Sequence, residues 1–173
     1  MSKNIDPQEP QQDEPKLIVI IRIRGRPNMN RKIADTLKML RLHHVNHASI
    51  YPNTPTIQGM LAKVKDYVSY GPLSEVSLER LLTKRGRIRG NKLLTSEYLK
   101  EIGSPYPDIK TLTKALYTGK IKYSELKGVK PVFRLHPPKG GHRHGTIKQP
   151  YSTGGSLGKV PLEFMDKLLA KMI

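Results

Sequence analysis

The sequence predicts an α+β fold, a strand–helix–strand–helix–strand unit followed by a mostly helical extension. Three observations carry this. Apolar residues alternate between Lys16 and Gly25, they recur at helical spacing from Ile33 to Leu40 and from Ile57 to Val68, and after Ser74 the helical segments become short, most of them closed by Gly.

The first strand places Leu17, Val19, Ile21 and Ile23 on one face, with Ile18, Ile20, Arg22 and Arg24 on the other. It is read as apolar on one side and basic at its far end. Gly25, Pro27 and Asn28 break it, and Asn30 is the expected N-cap of a helix buried through Ile33, Ala34, Leu37 and Leu40. A second strand is expected from about Asn46 to Tyr51, with the turn Pro52–Pro55 after it. Thr56 then caps a helix whose stripe is Ile57, Met60, Leu61, Val64, Tyr67 and Val68, and Tyr67–Gly71 leaves it as a third strand.

The extension is expected to hold helices at Ser74–Arg85, Thr95–Ile102 and Asp108–Thr118, each with a Ser, Thr or Asp cap and a following Gly. Val129–His136 reads as a strand with Phe133 and Leu135 on one side, and Pro131 assigns it to a sheet edge. His136–Lys159 is expected to be a long loop. A last helix starts at Pro161 and buries Leu162, Met165, Leu168 and Leu169. The expected organisation is thus a disordered acidic tail (1–15), a β-α-β-α-β core (16–73), small helices with a basic loop (74–128), and an edge strand, Gly/His/Pro-rich loop and terminal helix (129–173).

Charge points to the partner. The 173 residues carry a formal charge of +17. Residues 1–15 hold four acids and one Lys, so the rest has 30 basic against 10 acidic groups, or +20. That much like charge in a compact fold calls for an anion, and nucleic acid supplies one through counterion release. A membrane partner would require an apolar span, a lipidation signal or a basic amphipathic helix with aromatic anchors. The longest apolar run, Leu17–Ile21, is far too short. The absence of Cys excludes disulfides and thiolate chemistry.

Three basic clusters are the candidate RNA-binding sites. The first is Arg22, Arg24, Arg26, Asn28, Arg31 and Lys32, where a strand end and a helix start present donor forks and free backbone N–H groups to phosphate. The second is Lys84, Arg85, Arg87, Arg89 and Lys92, read as an irregular loop that RNA would order. The third runs from Arg134 through His136, Lys139, His142, Arg143 and His144, with Pro and Gly allowing close backbone approach. Arg41, His44, Asn46, His47, Lys148 and Lys159 complete the candidate set. Each cluster also has the plainer reading of a solvated basic surface.

The histidines at 43, 44 and 47, and at 136, 142 and 144, have spacing that a metal could use, but no carboxylate or Cys lies in the glycine-rich loop and neighbouring Arg repels a cation. No cofactor is expected. The chain lacks a His-Glu-x-x-His pair, and Gly154–Lys159 lacks the strand and Lys-Ser/Thr ending of a phosphate loop. Eight Tyr, two Phe and no Trp, none of them in the basic clusters, leave recognition to backbone shape and charge. An architectural DNA-binding protein would share the charge, but apolar wedge residues and a helix-turn-helix pairing are missing. An RNA-modifying or RNA-cleaving enzyme would require a nucleophile or metal site that the residues do not offer.

Several stretches resemble one family: Ile23-Arg24-Gly25 with Asn28-Met29, Asp35 to Leu40, His43-His44-Val45-Asn46-His47, Gly59 to Val64, Asp66-Tyr67-Val68, Arg134 to His142 and Leu157-Gly158-Lys159. In this order, over most of residues 17–160, the chain resembles the large-subunit ribosomal proteins of the L-thirty family in their long archaeal and eukaryotic form. The resemblance implies a relative of the ferredoxin-like fold with both helices on one face of a three-stranded sheet. It implies a non-catalytic structural constituent of the cytoplasmic ribosome that binds large-subunit rRNA, near the small rRNA of that subunit and beside other ribosomal proteins, with no membrane and no small-molecule substrate. The acidic tail before Lys16 departs from the short forms, and no function is carried onto it.

Overall fold

The strand at the start of the unit lies in the middle of the molecule. In a computed structural model, which describes residues 17–101, 104–143 and 146–173, β1 (Leu17–Arg22) pairs antiparallel with both β2 (His47–Pro52) and β3 (Val68–Pro72). The expected tail at 1–15, the end of the 95–102 helix and His144 lie outside the described residues. Two short strands extend the sheet at its edges, β4 (Phe133–Arg134) beside β2 and β5 (Gly158–Lys159) parallel to β3, giving the order β4-β2-β1-β3-β5.

All six residues of β1 are buried, because both faces of the sheet are covered. Ile18 and Ile20 join Leu37, Leu40, Leu42, Leu61 and Val64 under α1 (Arg31–Met39) and α2 (Pro55–Val64). Leu17, Val19 and Ile21 join the larger cluster on the opposite face. The expectation of a strand apolar on one side only is corrected here: a central strand covered on both faces needs a continuous apolar run.

Asn30 caps α1 as expected, its Oδ1 accepting from Lys32 N–H at 3.0 Å. The cap of α2 is Thr54, not Thr56: Thr54 Oγ1 accepts from Ile57 N–H at 3.4 Å, and Pro55 opens the helix where its missing N–H has no partner to lose. The helix also stops at Val64. Tyr67 N–H closes a turn onto the Val64 carbonyl, so Val68 belongs to β3 rather than to the helical stripe.

On the other face lie α3 (Glu75–Arg85), α4 (Ser96–Glu101), α5 (Ile109–Tyr117) and α6 (Leu162–Met172). Leu78, Leu81 and Leu82 of α3 meet Leu112 and Leu116 of α5 and Met165 and Leu169 of α6. Each fully buried side chain of this size contributes roughly 1.5–3 kcal/mol. Leu162, expected inside, is 41% exposed; Met172 at the far end of α6 is buried in its stead.

The glycine-rich stretch expected as one long loop contains a 3-10 turn at Tyr151–Thr153 and β5. The chain then crosses so near β3 that a Cβ on Gly71 would strike the Val160 carbonyl. β4 is shorter than the expected strand, but it lies at the sheet edge and turns Phe133 and Leu135 inward while Arg134 and His136 face solvent.

Candidate nucleic-acid interface

Register gathers residues that are distant in sequence. Arg22 pairs with Val68, Ile21 with Ala48, and His47 with Arg134, so the end of β1, the start of β2 and the end of β4 meet at one end of the sheet. Backbone bonds tie them: Asn46 N–H donates to the Arg22 carbonyl, and Leu135 N–H donates to the Asn46 carbonyl. The strand end of the first basic cluster and Arg134, the start of the third, therefore meet.

Arg24 is held in place. Its guanidinium lies 4.8 Å from the centre of the Tyr67 ring, and Nη1 donates to the Asp66 carbonyl at 3.1 Å. Arg26 and Asn28 are exposed in the turn, where Asn28 adopts a left-handed φ of 53°. Arg31 and Lys32 are exposed in the first turn of α1, which contains no acid to oppose an incoming phosphate.

Arg22 differs from its neighbours. It is 5% exposed, and its Nε donates to the Arg24 carbonyl while Nη1 donates to the carbonyls of Leu42 and His43 at 2.8 and 2.9 Å. Burial, then the nearby charge of Arg26, lowers its pKa. The expectation of an open surface cation is corrected: Arg22 is first a brace joining β1 to the loop after α1. Arg22→Met is expected to destabilise the fold by about 2–3 kcal/mol, because buried carbonyls lose their donors. Denaturant titration measures it, and an unchanged midpoint would show the brace to be dispensable.

His44 and His47 meet edge to face at 5.1 Å. Burial lowers the His47 pKa to about 4, helped by His44, Arg134, His43 and Arg22, and its Nδ1 is buried without a partner. The ring is neutral in the fold at pH 7. Since the unfolded chain takes up the proton near pH 6.5, stability is full above that value and lost as pH falls toward 4. Allowing for the ring's partial exposure, the loss is on the order of 2 kcal/mol. Stability measured from pH 7 to 4.5 is expected to fall more for the native chain than for His47→Gln, and parallel curves would contradict this origin. Among the described residues, no three His, Asp or Glu side chains are grouped so as to hold a metal ion.

The end of α6 links the rest. His136 N–H donates to the Met172 carbonyl, Lys139 N–H to the Lys171 carbonyl, and Arg85 Nη2 to the Ile173 carbonyl at 2.6 Å. Those carbonyls carry the negative end of the helix dipole, which favours cations. Arg85 is thereby tied down rather than free in a loop. The segment after it is an ordered hairpin, correcting the expected irregular loop: Arg87 bridges Leu93, Ile88 bridges Val129, and Gly90 and Asn91 turn the chain with φ of 79° and 64°. Arg87 is half-buried, whereas Lys84, Arg89 and Lys92 project into solvent.

Other expected residues lie elsewhere. Lys159 pairs with Tyr70 in the sheet and lines a different cavity with Ile18, Asn53 and Pro72. Arg41 is exposed near Tyr51, and Lys148 is exposed in the glycine-rich segment. Arg143 lies 5.7 Å from the Tyr151 ring, and His142 is half-buried, with burial lowering its pKa. Sequence reasoning missed Tyr67 as the seat of Arg24. It also left Lys38 out, which lines a cavity of about 190 Å3 with Arg22, Arg26, Met29, Ala34, Asp35, Leu42 and His43. Its place two helical turns after Arg31 was the available signal.

Among the described residues the one ion pair is Lys122–Glu125, in the extension, so the cations at this end of the sheet are not neutralised by acids. Also among them, no helix is long and apolar enough to cross a membrane.

The chain is similar along most of its length to known proteins. The family model described as ribosomal protein L30p/L7e matches residues 18–68, the two-helix unit. The large ribosomal subunit protein uL30 of Methanocorpusculum labreanum is 44% identical over 156 residues, covering 90% of this chain and 99% of its own. Those of Nanoarchaeum equitans and Staphylothermus marinus are 47% and 49% identical, covering 82% and 83% of this chain and 90% and 91% of theirs. With identity at that level running through both the two-helix unit and the extension, the chain belongs to the uL30 family of ribosomal proteins.

Proposed function

We propose that this protein is a non-catalytic structural constituent of the large subunit of the cytoplasmic ribosome and binds large-subunit rRNA through the basic end of its sheet. The observation that carries the reading is the convergence of Arg24, Arg26, His44, Asn46, His47 and Arg134 at that end, with no acid paired to them among the described residues. Arg31 and Lys32 add the amino end of a helix. His136, Lys139, Lys84, Arg89 and Lys92 continue the surface past the end of α6, and Arg143, Lys148, Arg41 and Lys159 offer outlying contacts. The core (16–73) and the two parts of the extension (74–128 and 129–173) act in this reading as separate RNA-facing units. Phosphate position and helix shape, rather than a row of stacked bases, provide most of the recognition.

Its partners are rRNA and neighbouring ribosomal proteins, with the small rRNA of the subunit nearby. In native lysate the protein is expected to co-sediment with large subunits, and its absence from them would overturn the assignment. Affinity for rRNA fragments should be electrostatic. For about six neutralised phosphates, log affinity is expected to fall with log salt at a slope on the order of −4 to −5. Filter binding across a salt series measures this, and a flat response would contradict phosphate recognition.

A further inference from the structure

The cavity between the turn after β1 and the outer face of α1 has a chemistry that plain phosphate binding does not explain. Its wall includes Arg22, one of the most deeply buried charged residues among those described. The hydrogen bonds of Arg22 use Nε and Nη1, and among the described residues Nη2 has no partner. Arg26 and Lys38 add two more cations. Asp35 lines the same cavity and forms no ion pair among the described residues. Met29 and Leu42 contribute apolar wall.

A phosphate in this space would be repelled by Asp35, and the volume of about 190 Å3 is more than a phosphate group fills. A planar base fits the donor and acceptor pattern better. Guanine alone among the four bases offers a carboxylate two adjacent donors, N1–H and the 2-amino group, on the same edge as an acceptor, O6. Its N7 is a further acceptor, and Arg and Lys are the usual donors to O6 and N7. Unstacked bases are the ordinary target of sequence-specific RNA recognition, and a guanidinium plane can replace an aromatic ring as the stacking surface.

We infer that this cavity accepts a single unstacked guanine of the bound RNA, with Asp35 on its N1–H and 2-amino edge and Arg22, Arg26 and Lys38 toward O6, N7 and the adjoining phosphate. This rests on the rRNA-binding reading above and adds base specificity to it.

The test uses the full-length protein and fluorescein-labelled single-stranded oligouridylates that carry one central guanosine, inosine, adenosine or uridine. The guanosine strand is expected to bind about tenfold tighter than the adenosine or uridine strand, and several-fold tighter than inosine, which lacks the 2-amino group. Asp35→Asn is expected to erase the difference between guanosine and inosine at an unchanged melting temperature, since Asp35 is exposed and braces nothing. Equal affinities for all strands with a steep salt dependence would overturn the guanine site and leave rRNA binding standing. A guanosine preference untouched by Asp35→Asn, or a uniform tightening of every strand by that change, would also overturn it. No binding by any strand would count against both readings.

Discussion

Replacing Arg24 and Arg26 together by Glu is expected to abolish incorporation into large subunits while leaving the fold intact. Arg24 keeps its backbone role whatever its side chain, because its N–H donates to the Tyr67 carbonyl. Its side chain makes a single exposed hydrogen bond, to a carbonyl, and Arg26 is exposed. Stability is therefore expected to change by less than about 1 kcal/mol. Binding changes far more, since two charge-assisted contacts become two repulsions. Each contact contributes about 1.5–3 kcal/mol, which puts the loss at roughly a hundredfold to a thousandfold or more. The salt slope should also become shallower by about 1.5, because two fewer phosphates are neutralised. Sedimentation of tagged variants and filter binding of purified protein give independent readouts. Normal incorporation of the double variant would remove this end of the sheet from the interface.

The sequence made the order of elements legible because the first strand and the two helices of the core carry their own periods and turn residues separate the rest. Asn30, Ser74 and Gly119 could be placed from residue type alone, since a cap and a left-handed terminus are local demands. What escaped depended on contacts between distant segments. Thr54 is the exception: it and Thr56 are equally good caps by type, and Pro55, suited to the first helical position, was the local signal for Thr54. The two residues of β5 are too few to show a period. Arg22 and Arg24 fall on the same side in an alternating strand, yet the strand ends at Arg22, so the loop after α1 folds over one and leaves the other half-open. Asp35 reads as one acid on a polar helix face, and only the tertiary fold sets it in the wall of the same cavity as Arg26. The basic surface was therefore legible as composition, while its division into braces and contacts was not.

The extension depends on one side chain for its hold on the edge of the sheet. β4 pairs with β2 over only two residues, too short a ladder to fix an edge by itself. Phe133 supplies the rest. It has no exposed surface, stacks on Tyr123 with ring centres 4.9 Å apart, and belongs to the cluster that includes Leu78, Leu81 and Ala48. Phe133→Ala is expected to destabilise the protein by about 3–5 kcal/mol, through lost burial and the cavity left behind. For a chain of this length the melting temperature falls by roughly 10 °C or more. The neighbouring residue gives the change a local signature. Arg134 pairs with His47 and helps to keep its imidazole deprotonated, so a loosened β4 should let the His47 pKa rise from about 4 toward the ordinary value. Phe133→Leu, which keeps most of the apolar volume, should cost about 1 kcal/mol and leave that titration nearly in place. Imidazole resonances followed by NMR across pH separate a local release of the edge from a uniform loss of stability. If Phe133→Ala lowered the melting temperature but left His47 titrating as before, β4 would be held by something other than this ring, and the joint between the extension and the RNA-facing end of the sheet would have to be sought elsewhere.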